Sequence, residues 1–149
     1  MAEVFIAYSG RNIKKVSQIV DHLSDALGRD RFWFAPDRLL IGDNIREQLS
    51  DALSEAKLFL NFESHSTAEL SFSDIIDRSS LSIRDQLLLY EREEALRRRL
   101  KVINVALRGR DAISRDFIDY ISVDMSPPLH SKRGKRSFKS LVHLVQGVL

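Results

Sequence analysis

The chain contains no cysteine, which excludes disulfides, thiol nucleophiles and thiolate metal sites together and leaves redox chemistry without its usual groups. A disulfide-free chain of this size is at home in the cytosol. Glycine and proline are scarce, six and three in 149 residues, while 44% of the chain is hydrophobic. That is enough for one well-filled core and too short for two ordinary domains, so residues 1–149 read as a single domain. No apolar run approaches the ~20 residues of a membrane span, and no basic segment followed by an apolar stretch opens the chain. The sequence thus reads as soluble and unprocessed, with no membrane partner. A dominant charge is missing too: 23 basic against 21 acidic residues leave +2, so a dedicated nucleic-acid binder is not expected. His22, His65, His130 and His143 share no metal-ligand spacing, and no metal site is expected. There is no nucleophile elbow, phosphate-binding glycine loop, kinase signature, internal repeat or low-complexity tract.

What is present is an alternation of periods. Val4 to Tyr8 is a short apolar run; Val16, Ile19, Val20, Leu23 and Leu27 then recur at helical spacing up to Gly28, where a helix stops. Arg31 to Ala35 predicts a second strand, and Ile45, Leu49, Ala52, Leu53 and Ala56 form the next apolar stripe, with Asp43 or Asn44 as its cap. Lys57 to Phe62 is almost continuously apolar, as a strand covered on both faces must be. Val102 to Leu107 predicts a fourth strand, Ile118 to Val123 a fifth, and Phe138, Leu141, Val142, Val145 and Val148 a closing helix with Ser137 as N-cap. Five strands and about five helices result.

The first strand, helix and second strand make a parallel βαβ unit, and ligands in such sheets lie beyond the carboxyl ends of the strands. Function is therefore expected at Tyr8 to Asn12 and at Pro36 to Asn44. Asn12 reads either as a simple helix cap or as part of a site. Trp33 and Phe34 are either core aromatics or rings that stack on a base. Gly42 makes the backbone of the second loop permissive, and Leu39, Leu40 and Ile41 either fold back on the domain or form a contact surface. Between Glu63 and Arg84 the pattern loosens into about twenty residues, holding either a short helix around Ala68 to Ile76 or a lid; His65 there is either solvated or touches substrate. A second loop, Ser126 to Lys135, precedes the last helix. The basic runs Arg97 to Arg99 and Lys132 to Arg136 read as solvated surface or as a seat for an anionic partner, and neither carries interleaved aromatics.

Four pieces carry a family resemblance: Val-Phe-Ile-Ala-Tyr-Ser at 4–9, Arg-Leu-Leu-Ile-Gly-Asp-Asn-Ile at 38–45, Asp-Ala-Leu-Ser-Glu-Ala-Lys-Leu-Phe-Leu at 51–60, and Glu-Arg-Glu-Glu-Ala-Leu from 91 before Lys-Val-Ile-Asn-Val from 101. In this order they resemble a Toll/interleukin-1 receptor (TIR) domain of the bacterial type, nearly end to end, with 63–89 matching poorly. The resemblance implies a flavodoxin-like three-layer α/β fold, a five-stranded parallel sheet in order 2-1-3-4-5 with helices on both faces. It also implies one of two occupations in immune or defence signalling. One is cleavage of NAD+ at the nicotinamide–ribose bond to nicotinamide and linear or cyclic ADP-ribose; the other is homotypic scaffolding without catalysis. A third, more distant alternative is a nucleotide sensor that binds without cleaving. Such domains commonly sit beside a sensor in a longer receptor.

The same resemblance selects Glu91 as the catalytic carboxylate, with Ala95 four residues on and the fourth strand following. Glu94, preceded by Tyr90 at the spacing where relatives carry tryptophan, is the alternative register. Leu87, Leu88 and Ala95 share a helical face with Glu91, so desolvation is expected to raise its pKa. Tyr8, Ser9, Gly10 and Arg11 are assigned to the nucleotide site, with backbone donors and a guanidinium for phosphate or ribose oxygens; Trp33, Phe34 and Arg38 join them. No cofactor is expected, NAD+ being substrate. The 36–44 loop is implied to insert into the next protomer, completing or blocking the site.

Overall fold

The computed structural model describes residues 2–40, 42–64, 79, 81–109 and 113–149. Strand β1 (Val4–Ala7) leads through a 3-10 turn at Gly10–Asn12 into α1 (Ile13–Leu27). Strand β2 (Phe32–Trp33) is followed by the single-turn α2 (Ala35–Arg38), then α3 (Ile45–Glu55) and β3 (Leu58–Glu63). Helix α4 (Ile83–Arg97), β4 (Lys101–Ala106), a 3-10 turn at Arg115–Phe117, β5 (Ser122–Asp124) and α5 (Lys132–Val148) complete the described elements. The strands form one parallel sheet in the order β2-β1-β3-β4-β5, with helices on both faces, a flavodoxin-like α/β fold.

Alternation along the strands builds two cores. Val4 and Ile6, Leu58, Leu60 and Phe62, and Ile103 and Val105 face α1 and α5. The intervening Phe5, Ala7, Phe59, Val102 and Ala106 face α3 and α4. On this second face an aromatic row crosses the sheet, Trp33 on Phe5 at 5.0 Å, Phe5 on Phe59 at 5.7 Å and Phe59 on Phe117 at 6.1 Å between centroids, all stacked.

The same face carries polar groups at Asn61, Glu63 and Asn104, all fully buried. Helix α4 answers them with Arg92, whose side chain is equally buried: its Nη2 donates to Glu63 at 2.8 Å and its Nε to Asn61 at 3.1 Å. Asn61 donates in turn to Asn104 at 3.0 Å, Asn104 to the Phe117 carbonyl at 2.9 Å, and the Ser114 N–H to the other oxygen of Glu63 at 2.7 Å. The Arg92 guanidinium also lies 5.9 Å from the centre of the Phe117 ring. Burial pushes the Glu63 carboxyl up and the Arg92 guanidinium down, and their mutual attraction opposes both shifts. Helix, two strands and the β4–β5 connection are thereby tied at one point.

Three boundaries depart from the sequence pattern. Arg31 to Ala35 is not one strand: Arg29–Arg31 is a 3-10 turn, and Pro36, in the first turn of α2, starts a helix directly after Phe34. Ile118 to Val123 is not the fifth strand either. The Glu63 and Asn104 bonds hold 114–117 as a turn, Ile118 and Ile121 are exposed, and the strand starts at Ser122. Finally, the cap of the last helix is Ser131 and not Ser137; its hydroxyl accepts from the Gly134 N–H at 3.0 Å. The run Lys132 to Arg136 is thus the first turn of α5 rather than loop, and a Cβ on Gly134 would collide with the Pro128 carbonyl.

Replacing Arg92 with methionine leaves Glu63 buried without its cation, and Arg92→Met is expected to cost ~3–5 kcal/mol in chemical denaturation. Adding Glu63→Gln is expected to return most of that loss, since the uncompensated charge is then gone. Equal stability of the single variant and the wild type contradicts a structural role for the pair.

Candidate functional site

Beyond the carboxyl ends of β1 and β2 lies a cavity of about 270 Å³, lined among others by Tyr8, Gly10, Trp33, Leu39, Arg84 and Glu91. Its volume falls just below the ~300–1,000 Å³ of sites for drug-sized ligands, so it fits a smaller group or one end of a larger molecule. Each wall follows from local folding. Ser9, buried, accepts from the Arg11 N–H at 3.4 Å and turns the chain as β1 ends, leaving Tyr8 and Gly10 at the rim. Trp33 keeps one ring face on Phe5 and borders the cavity from β2. Helix α3 starts at Asn44, whose side chain accepts from the Glu47 N–H at 3.1 Å.

Glu91 enters from α4. With Arg92 pinned inward, the preceding residue lies about 100° around the helix, which aims Glu91 at the cavity beside Leu87. Burial raises its pKa to about 8, and the charge of Arg92 only partly offsets this. The Tyr8 hydroxyl is pushed up to about 12, first by burial and then by the nearby Glu91 charge, so it stays a hydrogen-bond donor at neutral pH. Arg84 is the cation of the cavity; its guanidinium lies over Gly10, where any Cβ would meet it.

The expected site residues divide accordingly. Tyr8, Gly10, Trp33 and Glu91 converge on the cavity. Phe34 lies in the core on the α1 face, packed against Tyr8 at 5.4 Å, because alternation turns it away from Trp33. Ser9 serves the turn. Arg38 bonds the carbonyls of Asp30 and Phe32 at 3.2 and 3.4 Å, outside the cavity lining. Arg11 turns to Asp85 at 3.6 Å and to a neighbouring groove. Asn12 is no side-chain cap for α1; its amide donates to Ser64 at 3.0 Å. Glu94, the alternative carboxylate, is tied to Arg97 and Arg98 at 2.6 and 3.1 Å, and these bonds, Arg97 first, hold its pKa below the usual range.

Of the apolar loop residues, Leu39 lines the cavity and Leu40 is 63% exposed, its N–H and carbonyl bonded to the Gln48 side chain at 2.8 and 3.2 Å. Ile41 and His65, and the short helix or lid considered at 68–76, lie outside the described residues. Arg84 was missed in the sequence, although its position seven residues before Glu91 puts both on one helical face. Among the described residues no helix is long and apolar enough to cross a membrane, and no group of three or more His, Asp or Glu could hold a metal.

No family model matches this chain, and no curated protein matches it. What the site can do chemically therefore follows from its geometry: a desolvated carboxyl, a phenol donor, a guanidinium and an indole around one apolar cavity.

The raised pKa has a thermodynamic consequence. Folding favours the protonated carboxyl, so Glu91 lowers stability as pH rises from its ordinary range near 4.5 through about 8. The Glu91→Gln variant lacks this loss. Thermal unfolding of both proteins is expected to show the variant's advantage growing across that window and level above it, whereas a pH-independent difference contradicts the assigned environment.

Proposed function

We propose that the protein cleaves the bond between nicotinamide and ribose in NAD+, with Glu91 as the catalytic carboxylate. The observation that supports this most is the convergence of Glu91, Tyr8 and Trp33 on one cavity at the carboxyl ends of β1 and β2, together with the TIR resemblance of the surrounding sequence. Nicotinamide leaves NAD+ as a neutral molecule, so the leaving group needs no proton, unlike the alkoxide of a glycoside. The catalytic demand is negative charge beside an oxocarbenium-like ribose, held in a dry and oriented site. Glu91 supplies that charge. Trp33 offers its ring for stacking, the Tyr8 hydroxyl donates to a ribose or carboxamide oxygen, and Arg84 faces the anionic side of the substrate. Water attacking the anomeric carbon gives ADP-ribose and one proton; attack by a nitrogen of the substrate's own adenine gives the cyclic product.

In the ligand-free protein Glu91 holds its proton at neutral pH, and the cationic pyridinium draws that proton off on binding. The free enzyme's carboxylate form is therefore scarce below about 8. Self-association enters the same reading. Leu39, Ile45 and Ile83, the last 74% exposed, form an apolar rim on the cavity, with exposed Leu40 next to Leu39 in the chain, and such patches mark contact surfaces. A second protomer covering this rim completes the wall of a cavity that is too small for its substrate. The same rim also favours the second reading, a scaffold that assembles through the 36–44 loop without chemistry.

Concentrated protein incubated with NAD+ is expected to release nicotinamide. Glu91→Gln lowers kcat/KM by about 100-fold or more, as expected for loss of a charge that stabilises the transition state, while Glu94→Gln stays within a few-fold of wild type. The rate rises with pH with a midpoint near 8, and Leu40→Asp reduces activity together with self-association. Turnover surviving in Glu91→Gln rules out the assignment. Assembly lost in Leu40→Asp while assembled wild type leaves NAD+ intact selects the scaffold; calorimetric binding of NAD+ without turnover selects a sensor.

A further inference from the structure

On the α1 side of the same sheet end, Arg11, Lys14, Lys15 and Arg108, with Asn12, Gln18 and Leu107, line a groove of about 250 Å³. Among the described residues it shares no lining residue with the Glu91 cavity. Its walls come from the turn after β1, the first turn of α1 and the end of β4. The groove therefore lies at the ends of β1 and β4, and Asn12 in its lining donates to Ser64, just past β3. In a sheet of this order the chain reverses its winding between β1 and β3, and the crevice at that reversal is where such folds hold ligands.

Among the described residues, no carboxylate lines the groove. Asp85 sits 3.6 Å from Arg11, and Asp124 attracts Lys15 from β5 while accepting from the Ser126 N–H at 2.9 Å. Lys15 donates to the Ser126 carbonyl at 3.2 Å. Lys14 and Arg108 make no ion pair among the described residues. Burial first and then the nearby charge of Arg108 push the Lys15 pKa down, and the Asp124 carboxylate partly opposes them. The first turn of α1 contains no acidic residue, so the positive end of the helix dipole adds to the potential there.

We propose that this groove binds a diphosphate group, with Lys14, Lys15, Arg108 and Arg11 as its cations. A compact dianion or trianion matches both the small volume and the spread of donors, and Arg108 and Arg11 present the planar forks that pair with phosphate oxygens. The inference does not depend on Glu91 chemistry. Its source is either free pyrophosphate or the diphosphate bridge of a nucleotide such as ADP-ribose.

Titration calorimetry of the full chain at low salt, with inorganic pyrophosphate as the probe, is expected to show one saturable site whose affinity falls as salt is added. Lys14→Gln/Arg108→Gln, whose side chains are exposed and make no hydrogen bond among the described residues, weakens binding about tenfold or more with unchanged thermal unfolding. Glu91→Gln binds pyrophosphate as wild type does, so a protein inert toward NAD+ still tests this site. ADP-ribose binding tighter than pyrophosphate, with the gain lost in the double variant, assigns the nucleotide as source; equal affinities assign the free anion. Absence of saturable binding at millimolar pyrophosphate, or binding undiminished in the double variant, overturns the proposal.

Discussion

A single buried ion pair sets the geometry of this protein. Arg92 and Glu63 meet at 2.8 Å with neither side chain exposed, an arrangement stable only because Asn61 and the Ser114 N–H satisfy the remaining polar groups. Removing either charge strands the other in a low-dielectric interior. The pair therefore fixes the rotation of α4 about its own axis more firmly than apolar packing alone. Neighbouring residues on a helix point about 100° apart, so pinning Arg92 inward determines where Glu91 points.

That rotation brings sequence, packing and chemistry together. Glu91 reaches a cavity at the ends of β1 and β2, beside Leu87 and Trp33, where burial lifts its pKa. A carboxyl in solvent is a weak partner for a developing cation; in a dry site the same charge interacts more strongly. Three residues on, Glu94 shows the contrast: bonded to two arginines, its pKa shifts the other way. Two carboxylates on one helix thus differ in the direction of their pKa shift because one is buried beside leucines and the other faces arginines.

Much of the architecture was legible in the sequence. β1, β3 and β4 are nearly continuous apolar runs covered on both faces, and their periods announce a parallel sheet. Gly28 was read as the stop of α1, and it ends that helix with φ 102°. The end of α4 has no such signal: Arg99 takes the left-handed conformation at φ 56°, and the Leu100 and Arg99 N–H groups close back on Ala95 and Leu96. The β2 and β5 limits were obscured because Pro36 and the Glu63 and Asn104 bonds act over distances a window of residues does not see. Arg92 was hidden for a related reason. A charged residue in Glu-Arg-Glu-Glu reads as solvent-facing, and its partner Glu63 closes a strand 29 residues earlier. In the site, Tyr8 and Trp33 were nominated by position and Glu91 by the family resemblance, while Phe34 was lost to alternation and Arg84 was found only in three dimensions.

The state of the Glu91 carboxyl is the point at which fold and function meet. A carbon-13 NMR titration of the side-chain carboxyls in the wild-type protein follows it directly. A Glu91 inflection near 8 is expected. An inflection at the ordinary glutamate value near 4.5 would mean that the carboxyl is hydrated and that the proposed cavity chemistry does not hold.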